Sequence, residues 1–199
     1  MTIYVAMLRG INVSGQKIIK MERLRASFER LGFGNVRTYV QSGNVVFEAE
    51  TKSAATITRR IEERILSDFG FAVRVFLKTA KELNEIAKEN PFVKDGAIDR
   101  TKLHVTFLSE HAPTTAARSL EPLAVKPERF QISGQAIYLY CPNGYGRSKL
   151  SNSAIEKKLG VGATTRNWKT VNALLSVAGD NIIENSLGRT RRSHPPRSH

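Results

Sequence analysis

The sequence predicts an α+β protein of two packed subdomains, the first of them ferredoxin-like. Three observations predict it. Apolar periodicity over residues 1–78 alternates strand-like and helix-like stretches in the order β-α-β-β-α-β, a related order β-α-β-β-α returns after residue 103, and similar hairpins occupy corresponding places in the two runs. The divisions expected are residues 1–78 for the ferredoxin-like subdomain, 79–102 for a linking helix and loop, 103–185 for a second α+β subdomain with an extra C-terminal helix, and 186–199 for a basic, disordered tail.

Residues 3–8 form an apolar run of strand length, followed by a polar loop over residues 9–20. Met21, Leu24, Phe28 and Leu31 recur on one helical face, which Gly32 and Gly34 end. Residues 36–40 and 44–48 flank a turn at Gln41-Ser42-Gly43, where glycine supplies a positive φ. Ile57, Ile61, Ile65, Leu66 and Phe69 define a second amphipathic helix, and residues 72–77 a fourth strand. Thr79 and Glu82 have the spacing of a capping box for a linking helix that stops at Asn90-Pro91. In the second half, residues 103–108 restart a strand, 114–124 read as helical, 129–132 and 135–140 as a hairpin, and 149–159 and 168–178 as helices. Ser42-Gly43-Asn44-Val45-Val46-Phe47 matches Ser133-Gly134-Gln135-Ala136-Ile137-Tyr138 in composition, which favours an ancient duplication. On the first strand Ile3, Val5 and Met7 alternate with Tyr4, Ala6 and Leu8, so neither face is polar and both want cover. The halves are therefore expected to pack as one unit.

Composition narrows the class further. A chain of 199 residues with 41% apolar and 25% charged residues resembles ordinary globular proteins. The early apolar run is interrupted by Arg9, far short of a membrane span and without a cleavable signal pattern. Cys141 is the single cysteine, which excludes an internal disulfide and a thiolate metal cluster within one chain. These observations lead us to expect a soluble, cytoplasmic protein without membrane, metal or cofactor. The net charge is +13, and subtracting the tail residues Arg189, Arg191, Arg192 and Arg197 leaves +9 on the rest. A body that basic attracts phosphate polyanions.

Three segments carry the groups such a ligand needs. Residues 8–17 join a strand to a helix through an overlong loop; Arg9, Gly10, Asn12 and Lys17 offer charge, close backbone approach and a polar orienter. The loop nearly meets the phosphate-loop pattern, but Gln16 and Lys17 stand where lysine and serine or threonine are required, so a nucleotide triphosphatase is rejected. Its competing reading is an Ω-type loop whose polar side chains satisfy the loop's own backbone. Gly146, Arg147, Ser148 and Lys149 lead from a strand into a helix and make an anion cradle, against an ordinary turn with Ser148 as helix cap. Arg166 and Asn167 precede another helix, whose cap is Thr165 or Asn167; Trp168, Val171 and Leu175 share one face, which makes Trp168 a core residue. Asn44, in the first hairpin, is a second polar orienter. None of the four histidines has a catalytic partner in sequence, and no acid, base or nucleophile stands out.

Leu8-Arg9-Gly10-Ile11-Asn12-Val13, Gln41-Ser42-Gly43-Asn44-Val45-Val46-Phe47, Asn90-Pro91-Phe92, Gly146-Arg147-Ser148-Lys149 and Thr165-Arg166-Asn167-Trp168, in this order over residues 1–180, resemble the bacterial family called domain of unknown function 1697. The resemblance implies a two-subdomain α+β fold with a ferredoxin-like first half and no established activity. Ser14 and Gln16 replace the glycine and lysine often seen in that family's loop, and the basic tail lies outside the resemblance.

The function expected is binding of a phosphate-bearing ligand, nucleic acid among them, through the glycine and arginine loops. An enzyme acting on a small phosphorylated or carboxylated substrate, with Arg9, Arg147 and Arg166 as anchors, is the second reading, and a protein-interaction module the third. RNA-recognition domains share the β-α-β-β-α-β order, but Asn44, Val45 and Val46 stand where their stacking aromatics would be.

Overall fold

The computed structural model describes residues 1–13, 15–50 and 53–190. The first half comprises β1 (Thr2–Leu8), α1 (Met21–Glu29), β2 (Gly34–Tyr39), β3 (Asn44–Ala49), α2 (Ala54–Phe69) and β4 (Val75–Thr79), followed by α3 (Ala80–Lys88). The second comprises β5 (Leu103–Leu108), α4 (Ala116–Leu120), β6 (Arg129–Ser133), β7 (Ala136–Tyr140), α5 (Asn152–Leu159) and β8 (Ala163–Asn167), followed by α6 (Trp168–Thr190). Each half forms one antiparallel four-stranded sheet, in the orders β2-β3-β1-β4 and β6-β7-β5-β8. Both orders are ferredoxin-like.

The second half is thus more complete than the sequence suggests, because β8 adds the fourth strand. That strand has no apolar alternation: Thr164 and Arg166, on the face that a strand pattern would fill with hydrophobes, are buried polar residues. α5 also starts three residues after position 149, and its cap is Ser151, whose side chain accepts from the Ala154 amide. The expected capping box on α3 is present, with Thr79 and Glu82 exchanging hydrogen bonds. α6 continues through residues 186–190, and the rest of the basic tail lies outside the described residues.

Both faces of β1 are buried, as its composition requires. Tyr4, Ala6 and Leu8 pack with Leu24 and Phe28 of α1 and Ile57, Ile61 and Ile65 of α2. Phe47 of β3 centres that core, with ring centroids 4.5 Å from Phe33, 5.3 Å from Phe28 and 5.7 Å from Tyr4. Burial of each such ring stabilises the fold by about 1.5–3 kcal/mol. Val5 and Met7 turn the other way, into a core shared with Val105, Phe107 and Tyr138 of the second sheet and Val171 and Leu174 of α6. α3 and α6 pack on each other, and α6 touches β1, β2 and β3 as well as β5 and β8. These two helices fill the layer between the sheets; α1 and α2 cover the outside of one sheet, and α4 and α5 the outside of the other. Among the described residues no helix is long and apolar enough to cross a membrane.

The ladders fix which residues correspond between halves. The Leu8 amide donates to Gly43 O and the Leu108 amide to Gln135 O, while those of Arg9 and Ser109 donate to Arg74 O and Gly162 O. Gly43 therefore corresponds to Gln135 rather than to Gly134, one residue away from the sequence match. Turn length explains the slip: Tyr39 pairs with Asn44, but Ser133 pairs with Ala136.

Candidate functional site

One device recurs in both halves. The last strand of each sheet is an edge, and its first outward amide is capped by a carboxylate from the preceding helix: Val75 N donates to Glu62 Oε1 at 2.8 Å, and Ala163 N to Glu156 Oε1 at 3.0 Å. Such caps blunt an edge that would otherwise template another strand. In the second half the carboxylate has a further task. Arg9, where β1 runs into its loop, grips Glu156 with both arms of its guanidinium, Nε to Oε1 at 3.0 Å and Nη2 to Oε2 at 2.7 Å. Burial pushes the Glu156 carboxyl up, but the bonds from Arg9 and the Ala163 amide and the fields of Arg9 and Arg74 outweigh it, holding the pKa below the ordinary value.

The halves are also joined where the edge strand β8 meets the ends of the central strands β1 and β3. Arg166 on β8 is 7% exposed. Its guanidinium donates to Asn44 Oδ1 (2.6 Å), Leu8 O (2.8 Å) and Ser42 O (3.1 Å) of the first half and to Thr164 Oγ1 and Thr165 O (both 2.9 Å) of its own. All five acceptors are neutral. Burial and the nearby Arg9 pull its pKa down to about 10, which still leaves it charged at neutral pH. Beside it, Tyr145 donates to Thr165 Oγ1 at 3.0 Å and stacks on His104. Burial raises the Tyr145 pKa and lowers that of His104. Burial likewise pushes the Cys141 thiol up to about 11, so it is not an activated thiolate.

Between the halves lies a cleft of about 820 Å³ lined by Arg9, Gly10, Val13, Gln16, Lys17, Arg74, Glu156, Gly160 and Val161. It adjoins a second cleft of about 860 Å³ through shared Arg74, Gly160 and Val161. The loop that forms its wall holds a positive φ at Gly10, Asn12, Gly15 and Lys17. Asn12 keeps it in shape, donating to Ile19 O and Gln41 O while accepting from the Ile19 amide. Lys17 Nζ donates to Ala72 O at 2.8 Å. The Arg74 side chain is exposed and makes no hydrogen bond among the described residues, while its carbonyl accepts from the Arg9 amide. It lies over Gly162, its own counterpart in the other half, where a Cβ would come within 2.2 Å of Arg74 Nη1. Glycine is needed there for the guanidinium to lie flat across the junction. Three cations thus face one carboxylate in this cleft.

The residues singled out from sequence do not share one hollow. Arg9, Gly10 and Lys17 line the cleft just described. Arg147 and Lys149 line a separate hollow of about 360 Å³ with Val125, Glu128 and Asn143. Ser148 donates to Glu128 and ends a single 3-10 turn, Tyr145–Arg147, that holds the exposed Gly146, and neither residue starts α5, which begins at Asn152. Asn12, Asn44 and Arg166 are engaged in internal hydrogen bonds, and Asn167 caps α6 by accepting from the Thr170 amide at 2.8 Å. Trp168 packs on the shared core. Ser14 lies outside the described residues. Arg74 was missed because it precedes a strand as an isolated cation with no motif around it; the equivalence with Gly162 that marks it exists only between folded ladders. Among the described residues no group of three or more His, Cys, Asp or Glu is placed to hold a metal ion.

Two ferredoxin-like units joined face to face through a helical layer, with cations gathered along their seam, define a duplicated α+β class. The chain belongs to the family described as protein of unknown function DUF1697, whose model matches residues 1–138. The segments around Arg147 and Arg166 lie beyond that match. The chain is similar in structure to "conserved bacterial protein SP0830 from Streptococcus pneumoniae", with a TM-score of 0.67 and 21% identity over 89% of this chain and 98% of that one. That likeness extends the shared fold into the second half. No curated protein matches the chain.

Proposed function

We propose that the protein is a cytoplasmic binding protein for a phosphate-bearing ligand, seated in the cleft between Arg9, Gly10, Lys17 and Arg74. The observation that carries this reading is Arg74: an exposed guanidinium, free of any hydrogen bond among the described residues, held at the mouth of a cleft whose cations outnumber its one carboxylate. Guanidinium groups bind phosphate through paired, charge-assisted hydrogen bonds, and the Gly10 turn lets backbone approach closely. A cleft of about 820 Å³ suits a small molecule. An extended nucleic acid would have to use its rim, because β1 and β3 are covered on both sides and offer no stacking platform.

Calorimetric titration with inorganic pyrophosphate tests the reading. Arg74→Ala is expected to weaken binding about ten- to a hundredfold, the equivalent of one charge-assisted hydrogen-bonding group at about 1.5–3 kcal/mol. Affinity also falls as salt is raised. Undiminished binding by the Arg74 variant would overturn the site, and binding only of polynucleotides would move the ligand from the cleft to the surface.

A further inference from the structure

The last strand of each half carries a basic residue at the same structural position. Lys78 pairs with Val5 across β4 and β1, Arg166 pairs with Val105 across β8 and β5, and the equivalence of Arg9 with Ser109 brings the two ladders into register. Each side chain crosses to the other half's hairpin, Arg166 to Asn44 and Ser42, Lys78 to the side-chain oxygen of Gln135. The chemistry then diverges. Arg166 spends its guanidinium on five acceptors. Lys78 has three N–H bonds, and among the described residues it has a single acceptor, a neutral amide.

Its surroundings leave that amine unneutralised. Glu82 is the carboxylate whose field reaches Lys78, but both the amide and the hydroxyl of Thr79 hold Glu82 Oε2, at 2.7 and 2.8 Å. Lys78 is 8% exposed, yet it lines the cleft of about 860 Å³ together with Arg59, Glu62, Arg74, Ser109 and Glu110. Burial lowers its pKa from the ordinary 10.5, against the opposing field of Glu82. Desolvated lysines with free-amine character are the ones that form imines with carbonyl substrates. Arg74 and Lys78 lie four residues apart on one side of extended chain, about 13 Å along the strand. That separation suits a ligand with phosphate at one end and a carbonyl at the other.

We propose that Lys78 is the reactive amine of a site for a small phosphorylated aldehyde or ketone, whose phosphate rests on Arg74. The amine lone pair attacks the carbonyl carbon, forming the C–N bond while the C=O π pair moves to oxygen. After proton transfer the carbinolamine expels water, breaking the C–O bond, and the nitrogen lone pair completes a protonated C=N. Hydration reverses the step, and no oxidant or reductant takes part. The phosphate half of this proposal rests on the anion reading of the neighbouring cleft; the amine half does not.

Reductive trapping separates the two. The full chain is incubated with pyridoxal 5′-phosphate or with pyridoxal, reduced with borohydride, and mapped by peptide mass spectrometry. Lys78 is expected to carry the secondary-amine adduct several-fold above the exposed Lys81 and Lys88, with pyridoxal 5′-phosphate preferred over pyridoxal and that preference lost in Arg74→Ala. In Lys78→Met, checked for fold by circular dichroism, this adduct disappears and the surface adducts remain. Label confined to exposed lysines with Lys78 untouched would overturn the reactive amine. Equal labelling of Lys78 by the two aldehydes would keep the amine and overturn the Arg74 anchor, while the anion reading of the neighbouring cleft stands or falls by the pyrophosphate titration.

Discussion

Replacing Arg166 by methionine removes a charge that five acceptors surround, and the structure sets the size of the loss. Two of those acceptors, Asn44 Oδ1 and Leu8 O, sit in fully buried residues, whereas Ser42 is exposed and Thr164 can rotate its hydroxyl. Stranding a buried acceptor costs about 1–3 kcal/mol, while relief from burying a cation offsets part of it, so a net loss of about 2–4 kcal/mol is expected. For a chain of this length that lowers Tm by about 6–12 °C. Thermal unfolding followed by circular dichroism measures it, and the Asn44→Ala variant completes a double-mutant cycle with a coupling of about 0.5–3 kcal/mol. Pyrophosphate affinity should stay unchanged, because Arg166 is closed off from the cleft. A Tm within about 2 °C of the parent would refute the argument that this guanidinium ties the halves together, and a loss of pyrophosphate binding at unchanged Tm would return Arg166 to the ligand.

Gly43→Ala meets two obstacles together, a φ of +76° and a Cβ within 2.6 Å of Ile11 and 2.9 Å of Leu8. A loss of about 2 kcal/mol or more in denaturant unfolding is expected; a neutral variant would mean the turn and its loop relax freely. Glu156 has a depressed pKa in the folded protein, so it contributes stability above its ordinary value of 4.5 that is lost as pH falls through the folded value. Glu156→Gln is therefore expected to destabilise the chain at neutral pH and to flatten the acid limb of the stability profile; an acid limb identical to the parent's would show that the carboxylate is not coupled to folding.

The elements legible in sequence were those whose residues state their environment locally. A continuous apolar β1 required cover on both faces, Thr79 and Glu82 stood at the spacing of a capping box, and the helical stripe Ile57, Ile61 and Ile65 gave α2. The strand β8 was illegible because what makes it a strand is pairing with β5, while its inward positions are occupied by Thr164 and Arg166, which look like loop residues until the partner that satisfies them is known. The site followed the same division. Arg9, Gly10 and Lys17 were visible as a basic, glycine-bearing loop of unusual length, but nothing local distinguished Arg166, sealed by acceptors more than 120 positions away, from Arg74, left open.

By itself, then, the chain determined its periodicities, its caps and its duplicated order, since these depend on neighbours within a few residues. Only the docking of the two sheets decided which cations are spent on structure and which face solvent. Burial and hydrogen-bond saturation are properties of what lies opposite a side chain, and what lies opposite is set by the other half of the molecule.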